Sequence, residues 1–158
     1  MPAWTSPTLA DERIELIGVT VTFIPTQPSA PYSLIEWEAE AGSPSPPLHI
    51  HHKTDEGFYV LEGQFGFLVD GLTTSAAQGT HVLVPKGHPH TFWNSGLATA
   101  RCLIILSPPG FEAYFRELGP LLAMAGSTEG AVEARRGLSA RYDIEIVGPP
   151  VDVAAIET

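Results

Sequence analysis

The sequence PPLHIHHKTDEGFYVLEG, residues 46–63, carries the most informative pattern in this chain, because it contains three candidate metal ligands. His49 and His51 are two positions apart. Side chains of a β-strand alternate between faces, so both imidazoles are expected to point the same way. Glu56 follows a polar bend that can return its carboxylate to that face. Imidazole and carboxylate groups bind borderline divalent metals, so this pattern predicts a metal site built on strands.

A second stretch, GTHVLVPKGHPHTFWN at residues 79–94, supplies a fourth candidate ligand, His90. Pro85 and Gly87 indicate a turn shortly before it. Ligands on separate strands meet only inside a closed sheet, which predicts an eight-stranded barrel with a polar interior. One buried histidine is often only structural, whereas three with a carboxylate favour a metal site.

These two stretches resemble the motifs of the cupin superfamily, whose fold is a double-stranded β-helix, or jelly-roll barrel. The first cupin motif corresponds to Gly42, His49, His51, Glu56 and Gly63, and the second to Gly79, Pro85, Gly87, His90 and Asn94. Six residues separate Gly42 from His49, where five are usual, which implies a longer loop at the barrel mouth.

The cupin resemblance implies a ligand set of His49, His51, Glu56 and His90 around one divalent transition metal ion per chain. Nickel, iron, manganese, cobalt, copper and zinc all suit such ligands, so the sequence leaves the metal open. The segments at 108–119 and 142–150 resemble those that follow the barrel in single-domain cupins similar to quercetin (flavonol) 2,3-dioxygenase.

The chain is expected to be a single cupin domain over residues 1–158, of the all-β class. Its 15 glycines and 15 prolines separate short apolar runs, as in β-barrels. The barrel is expected over about 13–107, and a short helical C-terminal extension over about 108–147. Residues 1–12 are expected to lie loosely on the surface. Strands are predicted near 13–24, 32–41, 48–52, 57–62, 64–70, 73–76, 80–84, 90–95, 98–107 and 144–147. Helices are predicted around Phe111–Leu118 and Glu129–Tyr142. Residues 148–150 are expected to form a frayed end.

Composition argues against several classes of partner. The formal net charge of −10 leaves no basic face for nucleic acid or for an anionic membrane surface. Cys102 is the single cysteine, so no intrachain disulfide is possible. It stands in an apolar run and is expected to be a small buried hydrophobe. Without a recognisable signal peptide or membrane span, a cytoplasmic location is expected.

Strand parity also predicts the surroundings of the metal. Phe58, Val60 and Phe92 share a face with a ligand and are expected to line an apolar substrate pocket. Asn94 has the same parity as His90, and it either lines that pocket or caps a turn. His52, His81 and His88 are expected outside the ligand set. The helix carrying Phe111, Tyr114 and Phe115 is expected to pack on the core rather than form a lid, and Trp37, Tyr59 and Trp93 to offer outward apolar area for a homodimer.

The resemblance to flavonol dioxygenases implies a metal-dependent dioxygenase that acts on a small aromatic or enediol substrate. Glu56 would then both bind the metal and accept the substrate's hydroxyl proton as a general base. Two alternatives stay open at this point: a non-catalytic cupin that binds metal or a small molecule, and a metal-dependent isomerase or epimerase that acts on a sugar or small acid. An isomerase of phosphorylated sugars would require basic side chains in the barrel, and Lys53 and Lys86 are the basic residues of the metal-binding turns.

Overall fold

The computed structural model describes residues 12–156, so the expectation for residues 1–12 lies, apart from Glu12, outside the described part. Ten strands precede the helical region: β1 Arg13–Leu16, β2 Val19–Ile24, β3 Ser33–Ala39, β4 Pro47–Ile50, β5 Asp55–Glu62, β6 Gln64–Val69, β7 Leu72–Ala77, β8 His81–Val84, β9 His90–Asn94 and β10 Ala100–Ser107. Then follow α1 Glu112–Ala125, α2 Thr128–Ser139, β11 Glu145–Pro150 and α3 Val153–Ile156.

The strands form two antiparallel sheets that pack face to face. One sheet has the order β1-β2-β3-β10-β5-β8 and the other β11-β4-β9-β6-β7. Neighbours in each sheet are mostly distant in sequence, which is the connectivity of a jelly roll. The apolar faces meet in one core, whose largest fully buried apolar side chains are Phe58, Phe65, Phe67, Ile35, Ile104 and Leu106. The predicted jelly-roll fold with a helical C-terminal extension is confirmed.

Strands β3 and β10 show why this sequence forms sheet. Every second residue of β10 is buried, and β3 buries Ile35, Trp37 and Ala39. The alternate side chains of β3 include Glu36, whose carboxylate lies 2.8 Å from the guanidinium of Arg101 on β10. The acidic face of β3 is therefore turned outward, and its charges are paired across strands.

Two glycines are required by close contacts inside the barrel. A Cβ atom at Gly66 would lie 2.3 Å from the ring of Trp93, on the paired strand β9. Gly63, in the turn between β5 and β6, has φ +74°, and a Cβ there would lie 2.8 Å from the Cβ of Ala100. At Gly63 only glycine fits both the positive φ and the available space, and at Gly66 the available space alone requires glycine.

Two of the three aromatic residues expected on the outer surface are buried within the chain. Trp37 is 5% exposed and packs edge-on against Phe92 and Phe115. Trp93 is also 5% exposed and covers Gly66. Tyr59 is 41% exposed on the outer face of its sheet. The expectation for Trp37 was wrong because this residue shares the inward face of β3 with Ile35 and Ala39. The expectation for Trp93 was wrong because its ring packs over Gly66, which has no side chain.

The two predicted helices form a layer against the barrel. Helix α1 buries Tyr114, Phe115 and Leu118 and packs against β1 and β3, and α2 packs on α1. Helix α1 ends at Gly126, which has the left-handed conformation common after helices, and Ser127 caps α2 through its hydroxyl. Among residues 12–156, no helix has the length and apolar composition needed to cross a membrane.

The segment 148–150, expected to be frayed, belongs to a strand. Strand β11 pairs with β4 at the edge of its sheet, and Ile146 lies opposite His49. Prolines are tolerated there because an edge strand has one set of backbone groups without a strand partner. Ser45 further holds this end by accepting a hydrogen bond from the amide of Val151 at 2.8 Å.

Candidate metal centre

The structure brings the four predicted ligands together inside the barrel. His49 lies on β4 and His51 just after it, Glu56 lies on β5, and His90 lies on β9 directly opposite His49. All four side chains are buried, with exposed fractions from 1% to 5%. One ligand atom from each lies within 4.8 Å of the others. That spread is about twice the 2.0–2.2 Å bond that a zinc-like ion makes to nitrogen or oxygen, so a small inward shift suffices for one shared ion.

Backbone carbonyl groups orient all three imidazoles. Nδ1 of His49 donates to the carbonyl of Pro47 at 2.7 Å, and Nδ1 of His90 donates to that of His88 at 2.9 Å. Nδ1 of His51 donates to the carbonyl of Asp143 at 3.0 Å. A proton on each Nδ1 leaves the lone pair of the neutral ring on Nε2, which is the tautomer a metal ligand needs.

Glu56 stays ionised in this cluster. Burial would raise the pKa of its carboxyl, but the hydrogen bond from His90 and the nearby histidine charges outweigh it and lower the pKa to about 2. Oε2 of Glu56 lies 2.9 Å from Nε2 of His90 and 3.5 Å from Nε2 of His51. The second oxygen, Oε1, takes part in neither contact.

The three histidines differ in their affinity for a proton. Burial and the neighbouring histidines lower the pKa of His49 from 6.5 to about 3, and burial also lowers the pKa of His51. Burial disfavours the charged form of His90 as well, yet its hydrogen bond to Glu56 and that carboxylate's charge raise its pKa. The cluster therefore contains two neutral imidazoles and a proton that the Glu56 carboxylate and the His90 imidazole share. If a divalent cation replaced that proton, three imidazoles and one carboxylate would be available to bind it.

Asp143, which strand reasoning did not single out, fixes the loop that carries His51. Besides its carbonyl contact to His51, its carboxylate accepts hydrogen bonds from the amides of His52 at 3.1 Å and Lys53 at 2.5 Å. The Thr54 hydroxyl donates to it at 3.2 Å. Asp143 lies just before β11, about ninety residues after His51 in the sequence. No local sequence pattern therefore predicts this role.

A cavity of about 60 Å³ adjoins the cluster. It is enclosed mainly by aromatic and aliphatic side chains, and His49, His51 and Glu56 contribute to its wall. Helix α1 and the residue before it supply Phe111, Tyr114 and Phe115, and Phe111 lies edge-on to His51 with ring centres 4.3 Å apart. These residues were expected only to pack on the core, whereas here they are both packed and part of the cavity wall.

Of the four residues predicted to line the pocket, Phe92 does so. The expectation for Phe58 and Val60 was wrong, because both are fully buried in the core between the sheets. Asn94 takes the second of its two predicted roles, that of a turn cap. Its amide nitrogen donates to the carbonyls of Ala39 and Ala98, and its oxygen accepts the amide of Gly96.

One basic side chain reaches the cavity from outside the two motifs. Arg135 of α2 lines the cavity together with Tyr114 of α1. Burial raises the pKa of Tyr114 to about 12, and the nearby charge of Arg135 acts in the opposite direction. The two sequence motifs contain Lys53 and Lys86 as basic residues, and neither motif pointed to Arg135. Its position depends on how α2 packs against α1, for which the sequence offers no local signal.

The remaining histidines lie outside the cluster. His52 is about half exposed and lies 2.7 Å from the carboxylate of Glu145. His88 pairs with Asp70 at 2.6 Å, and His81 is exposed at the start of β8. The structure therefore separates three surface histidines from the three that face Glu56.

Comparison with known proteins places this site in a family context. Residues 35–106 match the family model described as a cupin domain. A 54-residue segment, 34% of this chain, is 41% identical to the oxidoreductase iacF of Pestalotiopsis fici and covers 26% of it. A 46-residue segment, 29% of this chain, is 37% identical to quercetin 2,3-dioxygenase of Bacillus subtilis and covers 14% of it. The matches thus span only small parts of both relatives.

Solved structures share the fold at low sequence identity. PAC13 of Streptomyces, a variant solved with uridine, has a TM-score of 0.61 at 13% identity, with 98% of each chain covered. KdgF from Halomonas has a TM-score of 0.60 at 16% identity, covering 68% of this chain and 96% of its own. A sugar phosphate isomerase of a cupin superfamily from Silicibacter pomeroyi has a TM-score of 0.52 at 22% identity, with 57% and 59% covered. At such identities the likeness concerns the fold alone.

Proposed function

We propose that this chain, whose residues 35–106 match the family model of a cupin domain, is a mononuclear metal-dependent dioxygenase acting on a small enediol or aromatic substrate. One observation carries this proposal. The Nε2 atoms of His51 and His90 face Oε2 of Glu56 in a buried cluster, and His49, His51 and Glu56 of that cluster line a largely apolar cavity. The partial similarities to an oxidoreductase and to quercetin 2,3-dioxygenase support the reaction class.

The four ligands would hold one divalent transition metal. His49, His51 and His90 are already oriented by carbonyl groups, so binding requires little reordering of side chains. When bound, such an ion supplies Lewis acidity and holds substrate and dioxygen in a common geometry. The largely apolar wall around the cluster excludes water, which strengthens electrostatic interactions at the site.

Glu56 is the group proposed to move a proton. Its Oε2 is directed toward His51 and His90, which leaves Oε1 to accept a proton from an acidic substrate hydroxyl. The pKa of about 2 applies while His90 donates to this carboxylate. With His90 serving as a metal ligand through Nε2, that hydrogen bond would be absent and the pKa of Glu56 would be less strongly lowered. The metal's charge would also lower the pKa of an enol or catechol hydroxyl in the site, which would favour transfer of its proton to Oε1 of Glu56.

The cavity favours substrates smaller than a flavonol. Its volume of about 60 Å³ is well below the roughly 300–1,000 Å³ of sites that enclose drug-sized molecules. A flavonol would have to displace Phe111, Tyr114 or Phe115. Small enediols, β-diketones and single-ring catechols are therefore the preferred candidates.

Oxygen consumption tests this proposal directly. Protein stripped of metal and reloaded separately with iron, nickel, cobalt, manganese and copper would be supplied with small enediols, β-diketones, catechols and quercetin. We expect oxygen uptake with at least one metal and one small substrate, and slower uptake with quercetin. Absence of uptake across the whole matrix would exclude dioxygenase activity.

A metal-dependent isomerase or epimerase of a small acid is the second candidate, and Arg135 in the cavity wall is the observation that favours it. In that reaction Glu56 would remove a proton next to a carbonyl and return it, without dioxygen. Incubation in D₂O separates the two classes, because an isomerase incorporates deuterium into its substrate under anaerobic conditions. A protein that does neither would be a non-catalytic binding cupin.

We further propose a homodimer formed through the outer face of β5, β8 and β10. Tyr59 is 41% and Leu83 is 57% exposed there, next to the half-buried Leu103 and Ile105. Contiguous apolar side chains on an outer sheet face favour association. Size-exclusion chromatography with light scattering would show twice the chain mass, and Leu83→Glu would shift it to the monomer.

A further inference from the structure

Arg135 is a half-buried cation at the cavity, and no carboxylate of residues 12–156 forms an ion pair with it. In residues 12–156 the contact of its guanidinium is a marginal hydrogen bond, 3.5 Å from Nη1 to the carbonyl of Ala131 in its own helix. The neighbouring Arg136 is 72% exposed and lies 3.3 Å from Glu133. A cation removed from water without a partner costs free energy, unless a ligand supplies the missing charge.

The position of Arg135 suits a ligand that also reaches the metal. Its side chain lines the inner cavity and also a larger outer groove of about 880 Å³ between α2 and the β4–β11 edge. Ser45, Pro47 and Ile146 line both spaces as well. Arg135 therefore lies where the groove meets the cavity, and His49 and Glu56 line the cavity beyond it.

The surroundings favour a carboxylate over a phosphate. One guanidinium forms two parallel hydrogen bonds to a planar carboxylate, and Tyr114, whose side chain shares the cavity wall, is a further hydroxyl donor. A phosphate dianion needs more positive charge than one arginine supplies. Arg135 is the single lysine or arginine among the residues that line the inner cavity in the described part of the chain, and the whole chain has a net charge of −10.

We propose that Arg135 binds the carboxylate of a small organic acid whose opposite end, an enol, catechol or hydroxyl oxygen, lies at the metal ligands. The substrates would then be small carboxylic acids that enter along the groove. This assignment rests on the proposed use of the cavity as a substrate site, but it does not depend on whether the reaction is an oxygenation.

Binding to protein loaded with zinc tests the assignment without any turnover. The probes are 3,4-dihydroxybenzoate and 3,4-dihydroxybenzamide, which share the catechol and differ in charge at the other end, with inorganic phosphate as a third arm. Calorimetry would give each affinity for the unsubstituted protein, Arg135→Gln, Arg135→Lys and the control Arg141→Gln, whose side chain is 61% exposed and lines neither the cavity nor the groove. Circular dichroism and zinc content would show that each variant is folded and loaded.

We expect the acid to bind at least about tenfold more tightly than the amide, as a charge-assisted bidentate pair provides. Arg135→Gln should abolish that preference, Arg135→Lys should retain part of it, and Arg141→Gln should leave it unchanged. Equal affinities of acid and amide, binding of neither, a preference that survives in Arg135→Gln, or tighter binding of phosphate than of the acid would each overturn the assignment. Failure of the oxygen-uptake experiment would leave this result unaffected.

Discussion

The backbone carbonyl of Asp143 accepts a hydrogen bond from Nδ1 of His51 at 3.0 Å. Through this contact, the segment after the two helices positions a candidate metal ligand of the barrel. The Asp143 carboxylate holds the same loop by accepting the amides of His52 and Lys53. The C-terminal extension is therefore part of the candidate site as well as its cover.

Replacement of Asp143 by alanine should weaken metal binding. The loop at residues 52–54 would lose the three hydrogen bonds that the Asp143 carboxylate accepts. Alanine keeps the backbone carbonyl that accepts from His51, so His51 would be affected through the loosened loop that follows it. Loss of such supporting partners typically costs about 10–100-fold in metal affinity. Chelator competition would measure the dissociation constant. Glu145→Gln, which removes the partner of the exposed His52, is the matched control, and equal affinities of the two variants would contradict the role of Asp143.

Replacement of Glu56 by glutamine should separate metal binding from turnover. The amide keeps an oxygen ligand but cannot accept the substrate proton, so turnover of a substrate found by oxygen uptake should fall by about 10²–10⁴-fold. Most of the metal should remain bound through the three histidines. Glu62→Gln, at the exposed end of the same strand, is the control. Full activity of Glu56→Gln would remove the proposed base.

The metal-free protein should lose stability as the pH falls from 6.5 toward 3. The pKa of His49 drops on folding from 6.5 to about 3, and that of Glu56 from 4.5 to about 2, so between these values the unfolded chain binds more protons. The raised pKa of His90 acts in the opposite direction, with stability lost as the pH rises through its folded value. The pKa of His51 is also lowered, so three groups favour loss of stability on acidification and His90 alone opposes it.

Urea unfolding of chelator-treated protein at several pH values would measure this dependence. His49→Gln should flatten this dependence, because the imidazole whose pKa is lowered to about 3 in the folded protein is then absent. A free energy of unfolding that rises on acidification would contradict the assignment of His49 as a buried neutral imidazole.

Metal retention should also depend on pH. The three imidazoles must be deprotonated at Nε2 to bind, so protons compete with the metal below about pH 6. Dialysis of loaded protein at graded pH followed by elemental analysis would follow the loss. Undiminished metal content at about pH 4 would show that these histidines are not the ligands.

Replacement of Gly66 by alanine should destabilise the barrel by about 1–3 kcal/mol, the usual cost of overpacking. The added methyl would lie 2.3 Å from the ring of Trp93, which is itself buried. Gly137→Ala is the matched control, since that position on α2 has open space and helix propensity predicts a gain of up to about 1 kcal/mol. Denaturant unfolding of both variants would measure the contrast, and equal stabilities would contradict it.

Several features of the site follow from local pattern. His49 and His51 share a face because strands have a period of two, and the turn residues Pro85 and Gly87 precede His90 at a fixed spacing. The partition of His52 away from the cluster follows from the same period. Parity failed for Phe58 and Val60, because a residue can point into the barrel and still lie in its packed core, away from the cavity.

The sequence by itself determined the barrel, the two helices and the four residues that meet at its centre, because each depends on short-range periodicity and on turn chemistry. Only the tertiary structure decided that Asp143 orients His51, that Asn94 caps a turn, and that Arg135 and Tyr114 complete the cavity wall. These contacts join residues from separate elements, and their distances depend on how helices and sheets pack. Packing is set by the fit of many side chains at once, which no local spacing encodes.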